Sequence, residues 1–530
     1  MTEPPAHPTP TKRIAAIDLG TNSFHAVMVD IYPDGSFRTI DKLKEMVILA
    51  ETGMDNHLSE AAMDRGVEAL KRIKFLCDSH QVEQILAYAT SAIREADNGG
   101  DFIQRTIDEV GIKARAISGK MEAELIGLAV RHSIALNQEN VLMVDIGGGS
   151  VEFILGNREN FKYVTSLKLG VARMAANFVK EDPISKEEKK ALKKHFEKEL
   201  KELREVLQKY PVKTMIGSSG TMENIASMIA NRNSISSSRS LNELVFSSTE
   251  FDSFYKKFIK LNKKERTKEK ALEEKRVDII NPGMVLLKYL VEEFHIENVK
   301  ISEAALRDGM ILNYINAQQK SPGPEPSTSF PDPRKKSVYE LLRKCHWQKE
   351  HSLHVTKLAI QLFDAFKEDL ELSANDRELL EYASLMHDIG YHISHRKHHK
   401  HALYLIRNSD LRGFTEDEIN IMANVARYHR RSTPHKRHLP YKELDKSLRK
   451  RVKRLSGILR VADGLDRSHY QNVRELEIVK EPEKILLRIT TEGDPELEIW
   501  GAMRKCRLFE KVTGRSLKIL AGKEKIETIG

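Results

Sequence analysis

Two short acidic, glycine-rich segments carry residues suited to handling phosphate: Asp18-Leu19-Gly20-Thr21-Asn22-Ser23 and Asp145-Ile146-Gly147-Gly148-Gly149-Ser150-Val151-Glu152. A third, Gly217-Ser218-Ser219-Gly220-Thr221, follows the run Thr214-Met215-Ile216. Tight turns of this composition bring backbone N–H groups and hydroxyls up to phosphate oxygens, and an aspartate at the end of the preceding strand can face a divalent cation. Hydrolysis of a phosphoanhydride needs a cradle for the anion, a cation to draw off charge and a base to aim water at phosphorus. The cradle is read as Gly20, Thr21, Asn22 and Ser23, with Gly147, Gly148, Gly149 and Ser150, and with Gly217, Ser218, Ser219, Gly220 and Thr221. Asp18, Asp145 and Glu152 are the oxygen ligands expected for Mg²⁺, and Arg94, just past a strand end, is a forked phosphate contact. Pattern alone leaves the base open between Glu122 and Glu124, both at the start of one helix.

A second constellation lies downstream. Thirteen of the chain's twenty histidines fall between His346 and His469, among them His351, the adjacent pair His387-Asp388, and a later Asp463. Imidazoles and carboxylates brought from separate helices can converge on one hard or borderline metal. His395, His401 and His429 are further candidates for a second metal position or a phosphate contact.

The elements that must position these groups follow from periodicity. Arg13–Ile17 and Phe24–Asp30 read as a hairpin closed by the first turn, and Val141–Leu155 repeats strand, turn and strand. Ser59 is a plausible N-cap for a helix to Ser79. Gln84–Ala89 reads as a strand, Lys120–Val130 as a helix, Lys186–Lys209 as a charged helix pair and Asn262–Lys275 as a solvated helical stretch. A closing helix begins near Ser302. Strands alternating with helices, with glycine-rich turns at the strand ends, imply two α/β lobes facing each other across a phosphate site. Ser321–Pro333 has five prolines in thirteen residues and reads as a linker. Val338–Tyr470 is helical in period. Lys484–Thr490, Leu497–Trp500 and Gly514–Ala521 read as strands.

A chain of 530 residues is several domains' worth, and 40% hydrophobic content supports packed cores. Cys77, Cys345 and Cys506 are isolated, which excludes a disulfide framework and a thiolate metal cluster. The start of the chain is not signal-like and no run is apolar enough to span a membrane, so a cytoplasmic location is expected. The net charge of +9 favours an anionic partner. Part of it sits in Lys436–Arg460, either a solvated basic helix or a surface that steers a polyanion. With aromatics at 6%, base-stacking platforms are not expected, and no nucleic-acid module is recognisable.

The paired turns resemble the phosphate-handling core of the actin, sugar-kinase and heat-shock chaperone superfamily. More specifically, roughly the N-terminal 315 residues closely resemble the exopolyphosphatase and guanosine pentaphosphate phosphohydrolase family. The likeness rests on Ile17–Ser23, Ala89–Ala96, Ser118–Ala123, Val144–Glu152, Ser166–Gly170, Gly217–Thr221 and Leu306–Gly309. It implies that Glu122 positions the attacking water, that Asp145 and Glu152 are the metal and phosphate-site acids, and that Ser23, Arg94, Gly148, Ser150 and Ser219 contact phosphate. Lys120-Met121 departs from the more acidic lead-in often found before that glutamate. The downstream pattern resembles the His-Asp metal-dependent phosphohydrolase superfamily. His351, His387, Asp388 and Asp463 match its metal quartet, which implies a divalent ion (Mn, Mg, Fe or Zn) there.

The fold class expected is multi-domain: two actin-like/sugar-kinase-like α/β lobes (12–133 and 134–320), a linker (321–336), an all-α His-Asp-type domain (337–475) and a small α+β tail (476–530), after a disordered start (1–11). The activity implied is a Mg²⁺-dependent exopolyphosphatase acting from the chain end. Alternatives are guanosine pentaphosphate hydrolysis to the tetraphosphate, and a polyphosphate or alarmone regulator with little turnover. The resemblance also implies a homodimer.

Overall fold

The structure, a computed structural model, describes residues 10–49, 57–232, 240–319 and 332–522. The expectations of disorder before residue 10 and of a linker over 321–331 fall outside the described residues. Contacts divide the chain into two compact units, Met1–Pro333 and Arg334–Gly530. Among the described residues, no helix is long and apolar enough to cross a membrane.

The first unit contains two mixed sheets built to one plan. Strands β1 (Lys12–Leu19), β2 (Ser23–Ile31), β3 (Phe37–Met46), β4 (Gln84–Ala89) and β5 (Ala114–Ala116) run in the order β3-β2-β1-β4-β5. Strands β6 (Val141–Ile146), β7 (Val151–Gly156), β8 (Phe161–Leu167), β9 (Thr214–Ser218), β10 (Val245–Ser247) and β11 (Asn298–Ile301) run β10-β11-β9-β6-β7-β8. In each sheet an antiparallel meander is followed by parallel neighbours, β4 beside β1 and β9 beside β6. The acidic turns therefore occupy equivalent places, β1–β2 and β6–β7, and Arg94 and Ser219 follow the equivalent strands β4 and β9.

Ile14–Ile17 is fully buried, and alternate side chains enter different cores, as a strand covered on both faces requires. One of those cores is shared: Ile14, Ala16 and Val27 of the first sheet and Met143, Ile154 and Ile216 of the second join it with the helices Gly119–Ser133 and Leu306–Gln319. Those two helices cross closely at Gly309, where an added Cβ would lie 2.0 Å from the Leu125 carbonyl oxygen. A glycine is required there by space, not by backbone angle.

Sequence periodicity misreads the stretch Asn262–Lys275. The helix runs only from Lys263 to Arg266, behind an Asn262/Glu265 capping box. The Arg266 guanidinium then ties Val277 O (3.0 Å), Leu261 O (2.7 Å) and Asp182 (2.7 Å), which folds the chain back on itself.

In the second unit the helices Pro333–Lys344, Lys349–Phe366, Ala374–Met386, His398–Arg407, Glu416–Arg427 and Lys446–Gly464 surround one apolar core. Residues 333–336, expected in the linker, open the first of these helices, where proline at the first turn costs no hydrogen bond. Strands β12 (Val473–Lys480), β13 (Lys484–Thr491) and β14 (Ser516–Ala521) form a sheet in the order β12-β13-β14 whose buried face joins that same core. Leu497–Trp500, expected as a strand, lies in the helix Glu496–Lys505. Leu497 and Trp500 face solvent, while Gly501 packs on Gly464 and Glu498 accepts from Ser468 N at 3.2 Å. Packing against the neighbouring helix overrides the local alternation.

Candidate active site

The two acidic turns face each other. A Cβ added at Gly148 would lie 3.3 Å from Asn22 Nδ2 and 3.6 Å from Thr21 Cβ. In the second turn the carbonyls of Gly147 and Gly148 accept from Val171 and Ala172 N (both 2.9 Å), at the start of the helix Val171–Phe178. Gly149 O accepts from Arg173 Nε at 3.0 Å. With these carbonyls turned to one side, planar trans peptides turn the N–H groups of Gly148, Gly149 and Ser150 to the other. In the third segment Ser219 takes a left-handed φ of 83° and bonds Ile146 O at 2.9 Å, and Ser218 Oγ donates to Asp145 Oδ2 at 2.5 Å. Thr221 accepts from Arg276 Nη1 at 3.3 Å. Gly217 is backed by the Met222 side chain, and the Arg276 guanidinium covers Gly220.

Four carboxylates converge at this junction. Asp18 ends β1, and Asp145 and Glu152 pair directly across β6 and β7. Glu122 enters from the first turn of Gly119–Ser133, whose N-cap Ser118 accepts from Met121 N. Arg94 Nη1 donates to Glu122 Oε2 at 2.7 Å and to Ile117 O at 3.1 Å. Glu124, the alternative base, is exposed on the same helix, whereas Glu122 is 7% exposed.

The carboxylates repel one another in a poorly hydrated space. Burial pushes Asp18 up to about 6, with Arg307 opposing and Asp145 adding to the rise. Burial likewise lifts Glu122 to about 7, against Arg94 and with Asp18 and Asp145 contributing. Asp145 is raised by burial despite its bond from Ser218, and Glu152 is raised well above the carboxylate range by burial and by Glu122 and Asp145. The Oδ1 atom of Asp18 is buried without a hydrogen-bond partner. Nearby carboxylates that cannot all ionise, together with an orphaned oxygen, form an all-oxygen donor set that fits a hard divalent cation such as Mg²⁺.

Cations that sequence pattern did not assign line the same cleft. Arg307, on the helix that crosses at Gly309, reaches within 3.9 Å of Asp18. Its sequence signal was the Leu306–Gly309 motif, without a role. His25, bonded to Ser23 Oγ at 2.8 Å, is held down to about 3 by burial and by Arg307, Lys44, Lys275 and Arg276. Lys44 is lowered to about 8 by burial and by the adjacent Lys275 from the other lobe. Lys44 lies on the edge strand β3 and Lys275 in the single 3₁₀ turn Glu274–Arg276, where nothing in the spacing marks them.

In the second unit the four residues of the expected metal quartet come together. His351 Nε2 lies 3.7 Å from Asp388 Oδ2 and 3.9 Å from Asp463 Oδ1, and His387 Nε2 lies 3.6 and 3.8 Å from the same atoms. Lys505 holds the other oxygen of Asp463. Of the additional candidates His429 joins this cluster, whereas His395 is exposed on the preceding loop. His401, the other, is half-buried and not among the grouped donors. The residue that enters instead is His398. Within the Lys436–Arg460 stretch, Lys450 and Arg454 pair with Glu371, Arg451 with Asp376, and Arg460 bonds main-chain carbonyls, so that part of its charge serves packing.

Comparison with known proteins gives the family. Residues 28–318 match the model of the Ppx/GppA phosphatase family, and residues 334–494 that of Ppx/GppA phosphatase, domain III. A crystal structure of an exopolyphosphatase from Cytophaga hutchinsonii is similar at 28% identity and a TM-score of 0.55, covering 58% of this chain and 98% of that one. A Ppx/GppA family member from Aquifex aeolicus is similar at 28% identity and a TM-score of 0.51, covering 58% and 99%.

Proposed function

Because the chain belongs to the Ppx/GppA phosphatase family and is a phosphoanhydride hydrolase, we propose that it removes the terminal phosphate of inorganic polyphosphate, with Glu122 as the base. The observation that carries this reading is the junction itself: opposed amide-lined turns above four carboxylates, with Glu122 fixed by Arg94. The turns at Gly20–Ser23 and Gly147–Ser150 hold the terminal phosphoryl group, and the third, Gly217–Thr221, closes the cradle. Asp18, Asp145 and Glu152 would hold Mg²⁺, which supplies charge neutralisation at the phosphoryl oxygens. Glu122 takes a proton from water as the water oxygen attacks phosphorus in line with the bridging oxygen. The bridging P–O bond breaks, and the shortened chain departs as an anion. Arg94 orients the carboxylate and faces the phosphate.

Lys44, Lys275 and Arg276 favour a long polyanion. Lys44 from one lobe meets Lys275 and Arg276 from the other; Glu273 pairs with both of the latter, at 3.2 and 2.9 Å, and the positive charge left over would meet the next phosphates of a chain. Guanosine pentaphosphate offers the same bond but fewer phosphates to occupy that track. Side-by-side kcat/KM on long-chain polyphosphate and on guanosine pentaphosphate tests this. A preference for the nucleotide that survives Lys44→Ala and Lys275→Ala would reverse the assignment.

The same reading places a helical His-Asp-type domain in the second unit, with one divalent ion on His351, His387, Asp388 and Asp463. It carries with it a cytoplasmic homodimer, which sedimentation would test.

A further inference from the structure

We propose that Arg65, behind the first turn, is a positioning residue that aims and polarises that turn's amides through two parallel rows of hydrogen bonds. This rests on the reading of Gly20–Ser23 as part of the phosphate cradle and adds what holds its peptides in place.

Past the end of β3 the chain continues as Val47-Ile48-Leu49, a strap laid against the back of the turn. Asn22 O accepts from Val47 N and Ile48 N, both at 3.0 Å, and Thr21 O accepts from Leu49 N at 2.9 Å. With the Thr21 and Asn22 carbonyls drawn to the strap, planar trans peptides turn the N–H groups of Asn22 and Ser23 away from it.

Arg65, half-buried on the helix Glu60–Ser79, grips the strap from its other side. Its Nε donates to Val47 O and its Nη2 to Ile48 O, both at 2.9 Å, while Nη1 reaches Ala61 O on its own helix at 3.2 Å. The fork of a guanidinium suits two neighbouring carbonyls in this way, and an ammonium does not.

The bonds join into two rows. In one, Arg65 bonds the peptide between Val47 and Ile48, whose N–H bonds the peptide between Asn22 and Ser23, which ends in Ser23 N–H. In the other, Arg65 bonds the peptide between Ile48 and Leu49, whose N–H bonds the peptide between Thr21 and Asn22, which ends in Asn22 N–H. Every peptide in both rows points its N–H end away from the guanidinium. The charge and the dipoles therefore add, and bonded groups in series polarise one another, which makes the last amides stronger donors to an anion.

The backbone is bent to build this. Along an extended strand successive carbonyls point to opposite sides, out of reach of one guanidinium. Ile48 brings two of them to one side by taking a left-handed φ of 49°, a strained choice for a β-branched residue. Its side chain is 44% exposed, so burial of that side chain does not offset the strain. The second turn has the same device with one peptide fewer: Arg173 Nε bonds Gly149 O at 3.0 Å, and that peptide ends in Ser150 N–H. A cation thus stands behind each acidic turn.

The test is steady-state kinetics of the full chain on long-chain polyphosphate and on guanosine pentaphosphate, since the first turn would meet the terminal phosphoryl group of either. Arg65→Gln should raise KM on both by about tenfold while kcat stays within about threefold. Arg65→Lys keeps the charge without the fork and should raise KM by less; it carries the test if Arg65→Gln does not fold. Arg72→Gln is the control: it cuts a 2.7 Å bond from the same helix to Glu45 on β3, outside both rows, and should leave KM unchanged. An unchanged KM in both Arg65 variants, a fall in kcat alone, or an equal rise in KM with Arg72→Gln would make Arg65 a packing residue and overturn the proposal. A wild type that prefers guanosine pentaphosphate, with KM on it raised by Arg65→Gln, would overturn the polyphosphate reading and leave the role of Arg65 standing.

Discussion

Arg94 Nη1 sits 2.7 Å from Glu122 Oε2, so the proposed base is held by the same cation that is proposed to contact phosphate. The pairing sets how the site responds to pH. Burial raises the Glu122 carboxyl to about 7 even with Arg94 beside it. A base must be ionised, so kcat/KM should rise with pH and level off above about 7. Arg94→Gln removes the opposing charge and should move that limb to higher pH while raising KM. A limb that stays in place would detach Arg94 from Glu122. For stability the sign is opposite: the folded state keeps this proton to about 7 while an unfolded glutamate loses it near its ordinary value, so this contribution is present at low pH and is lost as pH rises through 7.

Glu95 links the lobes. Its carboxylate takes Arg173 Nη2 at 2.7 Å and Lys168 Nζ at 3.0 Å, and Arg173 in turn holds Gly149 O in the second turn. Glu95→Gln should leave a nearly buried guanidinium underpaired, costing about 1–3 kcal/mol, and should raise KM for polyphosphate more than it lowers kcat. Thermal unfolding and steady-state kinetics read both effects; an unchanged melting temperature would show that the pair contributes nothing.

Gly309→Ala places a methyl 2.0 Å from the Leu125 carbonyl. The helices carrying Glu122 and Arg307 must separate, at a cost of roughly 1–3 kcal/mol. The expected outcome is a lower melting temperature together with reduced kcat, since both ends of the site shift. Loss of stability with full activity would mean that the crossing does not set the site's geometry.

Asp145 is raised by burial and takes Ser218 at 2.5 Å. Asp145→Asn should push the Mg²⁺ activation curve to higher concentration by tenfold or more. An unchanged titration would remove Asp145 from the ion's donor set.

Asp18, Asp145 and Glu152 were legible because each sits in a motif beside a strand end, where polar residues interrupt an apolar run, whereas Glu122, on the first turn of a helix, was set apart from Glu124 only by the family resemblance. Asp18 and Asp145 are fixed by hairpin register alone, a local property. Arg307 was not, because its approach to Asp18 depends on the helix crossing at Gly309 and Leu125, a contact between distant segments. Lys44 lies on a charged edge strand and Lys275 in a 3₁₀ helix of one turn, so neither has a periodicity to reveal it. In the histidine cluster the choice of His398 over His395 and His401 turns on where its helix begins, after Lys397 in a left-handed conformation, and several histidines close together hide that phase. Leu497–Trp500 alternates like a strand, yet the close packing of Gly501 on Gly464 makes it helical.

The account turns most directly on Glu122. Phosphate release from long-chain polyphosphate, measured beside binding of the same substrate, should fall by about 10²–10⁴-fold in Glu122→Gln while affinity changes little. Equal loss of turnover and binding, or full turnover in the variant, would contradict the assignment of this carboxylate as the base.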